Sequence, residues 1–134
     1  MPDHVKNARS AMFLARLADL RRVGEFLGEF CTAQGVEREH RLRLNVVLEE
    51  LFLNTVQHGH RGDCDAPIWI GLQADPRELR VTYEDTAPPF NPLAHRPQRG
   101  KVGGLGVLLT RELSASREYA YLFGRNRLRL ALER

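Results

Sequence analysis

The chain has 134 residues, of which 43% are apolar and 28% charged. That is one domain's worth of sequence with enough apolar content for a core, which argues against disorder. No apolar run approaches the ~20 residues needed to cross a bilayer. The formal charge of +3 comes mostly from arginines spread along the chain, which reads as a solvated surface and not as a nucleic-acid footprint. Cys31 and Cys64 stand in an apolar helical stretch and a polar loop, with no C-x-x-C pair, so a reducing compartment is the simpler expectation. Met1-Pro2-Asp3-His4 shows neither a charged n-region nor an apolar h-region, so no secretory signal is read there and a cytoplasmic location is expected.

Residues 11–15 form a short apolar stretch, read as an edge strand entering the fold. Over 17–34, Leu17, Leu20, Val23, Phe26, Leu27 and Phe30 recur every three or four residues, which predicts an amphipathic helix. Gly35 is its natural stop. A second helix is expected over 38–57, with Leu44, Val47, Leu48, Leu51 and Thr55 as its core stripe, ending in Gly59-His60-Arg61-Gly62-Asp63. Ile68, Ile70, Leu72 and Ala74 then alternate with Trp69, Gly71 and Gln73, as in a half-buried strand. After the turn Asp75-Pro76-Arg77-Glu78, Leu79, Val81 and Tyr83 continue the alternation in a second strand.

Residues 91–102 carry Pro92, Pro97 and Gly100 without periodicity and are expected to be a mobile loop. A third helix follows, with Leu105, Leu108, Leu109 and Leu113 on one side. Residues 119–123 and 127–132 should close the chain as a hairpin around Gly124-Arg125-Asn126, with Leu128, Leu130 and Leu132 inward and Arg127 and Arg129 outward. This order predicts an α/β two-layer sandwich: a mixed, largely antiparallel sheet covered by helices on one face. One domain is expected over 1–134.

Three segments carry candidate chemistry. On the second helix Glu50, Asn54 and His58 are spaced i, i+4, i+8 and rise along one face beside the apolar stripe. A carboxylate and an amide oxygen one turn apart suit Mg2+, or a water or hydroxyl near a phosphate; the same spacing also describes a plain solvated face. Glu49 is turned about 100° away. In the second strand Asp85 continues the inward line of Leu79, Val81 and Tyr83. A carboxylate there needs a partner, and a ligand amine such as that of adenine would serve; alternatively it is a strand-end aspartate opening the turn into Pro88-Pro89. Gly103-Gly104-Leu105-Gly106 opens the third helix, where free N–H groups can meet a phosphate, with Arg99 and Lys101 adding charge. It equally fits a glycine-rich cap, and no Gly-Lys-Ser/Thr makes it a Walker loop.

Taken in order, Glu50-x-x-x-Asn54, His58-Gly59, Asp85 with Pro88-Pro89-Phe90-Asn91-Pro92, Gly103-Gly104-Leu105-Gly106-Val107, Arg111 and the closing Asn126-Arg127-Leu128-Arg129-Leu130 resemble the GHKL ATPase superfamily. The likeness is to its small anti-sigma-factor serine/threonine kinase branch and runs over nearly the whole chain. It implies a Bergerat-type ATP-binding fold with residues 91–102 as the lid. It further implies Glu50 as general base on a protein serine hydroxyl, Asn54 as Mg2+ ligand, and Asp85 on the adenine amine. Asn54, His58, Ala87, Phe90, Lys101, Gly103, Gly104, Leu105 and Gly106 would join Asp85 in lining the ATP site, with Gly104 and Gly106 on the phosphates. Partners implied are a sigma factor and a STAS-type anti-anti-sigma protein, often bound by a homodimer; neither nucleic acid nor membrane is implied. Two positions depart from the resembled pattern. Ala87 stands where a glycine is usual, two residues after the aspartate, and Ser114-Ala115-Ser116 replaces an acidic segment. An ATP-dependent kinase that also sequesters its partner is the leading expectation; a nucleotide-binding module that sequesters without phosphoryl transfer is the alternative. A small-molecule ATPase has little support, because the lid is short and no second substrate pocket is legible.

Overall fold

The computed structural model describes residues 7–93 and 116–134. Strand β1 (Ala8–Leu14) leads through a 3-10 turn (Leu17–Asp19) into helix α1 (Leu20–Ala33). Helix α2 (Arg38–Asn54) passes without a break into a π turn (Thr55–Gly59). Strands β2 (Pro67–Ala74), β3 (Glu78–Asp85), β4 (Ser116–Leu122) and β5 (Arg125–Glu133) complete the described elements. The sheet order is β1-β2-β3-β5-β4, so β1 is an edge strand as its sequence suggests. Every pairing among these described strands is antiparallel, in keeping with the largely antiparallel sheet expected.

The alternation in the strands fixes which face is buried. Ile68, Ile70, Leu72 and Ala74 of β2, Leu79, Val81 and Tyr83 of β3, and Leu128, Leu130 and Leu132 of β5 all point into one core. Both helices feed the same core: Val23, Leu27, Phe30 and Cys31 from α1, and Leu44, Val47, Leu48, Leu51 and Phe52 from α2. The two-layer sandwich is thereby established. On the opposite face the Arg125 guanidinium lies 3.7 Å from the Trp69 ring centre and 3.5 Å from Glu84. Both cysteines are free, with Cys31 in the core, where burial raises its thiol pKa. Among the described residues no helix is long and apolar enough to cross a membrane.

Two boundaries differ from the periodicity reading. Leu17 is exposed and belongs to the 3-10 turn, so α1 starts three residues later than its apolar pattern suggests. The last hairpin turns at Phe123-Gly124, not at Gly124-Arg125-Asn126. Both turn residues have positive φ, +53° and +76°, the signature of a two-residue primed turn that matches the strand twist. That shift of two residues carries Asn126 out of the turn and into β5, opposite Asp85 in β3.

Candidate functional site

The polar groups of the site gather where the end of α2 meets the end of β3. At Thr55 the helix widens: the His60 N–H reaches the Thr55 carbonyl at 2.9 Å, an i→i+5 bond, and such π turns recur at functional sites. The α-helical alignment of Glu50, Asn54 and His58 therefore stops at Asn54. Glu50 and Asn54 are half-buried, whereas His58 is exposed. Among the described residues no hydrogen bond or ion pair occupies the Glu50 or Asn54 side chain. Glu50 has its pKa raised, first by desolvation and then by the neighbouring Glu49 carboxylate.

Asp85 is the centre of the arrangement. Only 7% exposed, it forms no ion pair among the described residues and is held by neutral donors alone. The Thr55 hydroxyl donates to Oδ2 at 2.7 Å. The Asn126 amide donates to Oδ1 at 2.9 Å, and the Ala87 N–H to the same oxygen at 3.2 Å. Thr55 Oγ1 also lies 3.0 Å from the Leu51 carbonyl, so its one proton has two groups in reach that only accept. The Tyr83 hydroxyl, 2.6 Å from Thr55 Oγ1 and 3.1 Å from the same carbonyl, adds a further donor to the cluster. Desolvation raises the Tyr83 pKa strongly, in keeping with a phenol that stays protonated.

Asn126 binds the whole segment that follows Asp85. Its two amide hydrogens are shared among Asp85 and the carbonyls of Ala87 (2.9 Å) and Pro88 (3.1 Å). Its side-chain oxygen accepts from the Phe90 N–H at 2.9 Å and from the Tyr119 hydroxyl. Ala87 is buried and the Phe90 ring is exposed. The structure thus brings Asp85 and Ala87 together with the Thr55 end of α2, one residue beyond Asn54. Lys101, Gly103, Gly104, Leu105 and Gly106 lie outside the described residues, as do the third helix, Arg111, Ser114-Ala115 and all but the start of the expected loop at 91–102.

Thr55 and Asn126 are the two site residues that motif reading passes over. Both had a signal. Asn126 continues the inward line of Leu128, Leu130 and Leu132, just as Asp85 continues that of Leu79, Val81 and Tyr83. Thr55 is the polar member of the α2 stripe.

Asp85 fits an adenine nucleotide in its count of accepting positions. A carboxylate offers about four acceptor positions, and three are used here, which leaves one for an exocyclic amine. For Mg2+ the fit is in ligand type: the Asn54 amide oxygen is a suitable hard donor. Among the described residues no three His, Cys, Asp or Glu side chains converge as a metal cluster, so Mg2+ would depend largely on the phosphates it accompanies.

Comparison with known proteins places the chain in a family. A model of the histidine kinase-like ATPase domain matches residues 13–132. No curated protein matches the chain. Among solved structures the chain resembles the RsbU and RsbW domains of Rv1364c from Mycobacterium tuberculosis, with a TM-score of 0.61 and 18% identity over 95% of this chain and 33% of that one. This chain thus spans a third of that protein's solved length, and the likeness is one of fold.

Proposed function

The chain belongs to the histidine kinase-like ATPase family, and from that premise we propose that it is an ATP-dependent serine/threonine protein kinase acting as an anti-sigma factor. It binds a sigma factor and phosphorylates a STAS-type anti-anti-sigma protein, with the cytoplasm as its location. The observation that carries the nucleotide reading is the buried Asp85 side chain, held by three neutral donors and retaining one accepting position.

Each residue then has a role. Asp85 accepts from the adenine amine, with Thr55 and Asn126 fixing its orientation and Ala87 closing the turn beneath it. Asn54 offers its amide oxygen to Mg2+. Glu50 takes the proton from the attacking serine or threonine hydroxyl; its desolvation raises its basicity toward the working pH. Bound ATP with Mg2+ supplies the γ-phosphoryl group and the charge compensation for its transfer. The half-buried Glu50, without a partner among the described residues, favours the kinase over a module that only sequesters.

The test is phosphoryl transfer from labelled ATP to STAS-domain proteins encoded in the same genome. Labelling of one of them on serine or threonine, dependent on Glu50, is expected. ATP binding with no transfer to any of them would replace the kinase with the sequestering module.

A further inference from the structure

We propose that Ala87 and Gly59 are a size-matched pair and that Ala87 is a positioning residue. Its methyl group, seated where Gly59 has no side chain, holds the Asp85 turn against the end of α2 and aligns the carboxylate for the amine of a bound base. The proposal rests on the nucleotide reading of the site and concerns how this chain tolerates alanine two residues after its aspartate.

The geometry is specific on both sides of the contact. Ala87 is 4% exposed and has an ordinary negative φ, since the positive values outside glycine fall at Arg61 and Phe123 among the described residues. Its N–H is tied to Asp85 and its carbonyl to Asn126, so its backbone cannot move independently of the carboxylate. Gly59 ends the π turn and also lacks a positive φ. Glycine is therefore not required there by conformation. It is required by space: a Cβ on Gly59 would lie 2.7 Å from the Ala87 Cβ and 3.7 Å from the Asn54 carbonyl oxygen. Unbonded carbons prefer separations of about 3.5–4.0 Å. A Cβ is fixed by its own backbone, so no rotamer change relieves that overlap.

The contact joins the two halves of the site. Gly59 lies one π turn beyond Thr55, whose hydroxyl holds Asp85 Oδ2, and Ala87 holds Oδ1 through its N–H. Pushing the two segments apart lengthens the Thr55 bond, and hydrogen bonds weaken steeply as their geometry departs from the optimum. A glycine at 87 would leave a gap beside Gly59. The methyl fills it, so alanine here is a compensated feature.

The experiment compares four proteins: wild type, Gly59→Ala, Ala87→Gly and the double variant, which moves the methyl across the contact. Two readouts are taken, the thermal midpoint without nucleotide and the affinities for ADP and inosine diphosphate, which carries a carbonyl in place of the amine. Gly59→Ala is expected to melt lower and to lose roughly tenfold or more in ADP affinity, the scale of one hydrogen bond to a charged group. Its preference for ADP over inosine diphosphate should collapse with it. The double variant should recover the wild-type preference to within about threefold. A merely structural contact would shift the midpoint and leave the ADP preference of the folded protein unchanged, which overturns the proposal. So does a double variant as poor as Gly59→Ala. If Gly59→Ala does not fold, a folded double variant with wild-type preference supports the pair, and an unfolded one overturns it. Failure of the wild type to bind ADP would instead reject the nucleotide reading.

Discussion

The Asn126 amide donates to the Asp85 carboxylate across 2.9 Å, at the point where β3 and β5 place these two residues opposite each other. Each is the polar end of an otherwise apolar line, and together they form the floor of the site. A neutral donor that is itself anchored by four other contacts orients the carboxylate without cancelling its charge, as recognition of a ligand amine requires.

Asn126→Ala should therefore cost more than one hydrogen bond. It removes a donor from Asp85 and an acceptor from the Phe90 N–H and Tyr119, and we expect a loss of about 1–3 kcal/mol in denaturant unfolding. Asn126→Asp should be worse at neutral pH, because two carboxylates would face each other. Its midpoint should rise on mild acidification while that of Asn126→Ala does not.

Asp85→Asn should abolish or cripple ADP binding in a folded protein. The amide keeps the shape, and its oxygen can still accept from Asn126 and Ala87. Its NH2 then faces Thr55 and presents a donor where the base amine needs an acceptor. Circular dichroism checks the fold and titration the affinity. Unchanged affinity would make Asp85 a turn residue only.

Glu50→Gln should separate binding from chemistry: phosphoryl transfer falls by roughly a hundredfold or more, with ATP affinity retained. The raised Glu50 pKa gives a second readout. A carboxyl whose folded-state pKa lies above its unfolded one stabilises the fold fully below the ordinary Glu range. That contribution is lost as pH rises through the raised value. Glutamine has no such loss, so the variant should melt above wild type at pH 7 and the gap should close on acidification toward about pH 4. Near wild-type transfer would move the base elsewhere, with Glu49 the next candidate.

Ala87→Gly should lower stability by about 0.4–1 kcal/mol through the greater freedom of the unfolded chain, without a gain in ADP affinity and with a weaker preference for ADP over inosine diphosphate, because the methyl that seats the Asp85 turn against Gly59 is gone. The negative φ of Ala87 and its methyl turned toward Gly59 remove the reason for glycine to bind better. Pro88 also biases residue 87 toward extended angles that alanine adopts. Tighter ADP binding at unchanged stability would show that the methyl crowds the ligand instead.

The layers of the fold were legible because burial imposes a period: two in β2, β3 and β5, and between three and four in α1 and α2. Asp85 was legible for the same reason, as a charge on an apolar line. The π turn was not, since Thr55-Val56-Gln57-His58-Gly59 carries no pattern that distinguishes an i→i+5 bond from the α-helical one. That is why the expected His58 alignment ends at Asn54. The β4–β5 turn was misplaced because Gly124 and Asn126 both favour turns, and the bulky Phe123 does not advertise a positive φ. This error hid Asn126, whose role follows at once from its register opposite Asp85. Gly59 looked like a simple helix stop, and only packing shows that its missing side chain makes room for Ala87.

The most direct test of the central claim is isothermal titration of the wild-type protein with ATP or ADP in the presence of Mg2+, paired with its melting temperature. A ligand that binds only the native state must raise the midpoint as its concentration passes the dissociation constant. One saturable site per chain and a midpoint that climbs with nucleotide are expected. No heat and no shift up to millimolar nucleotide would contradict the central claim.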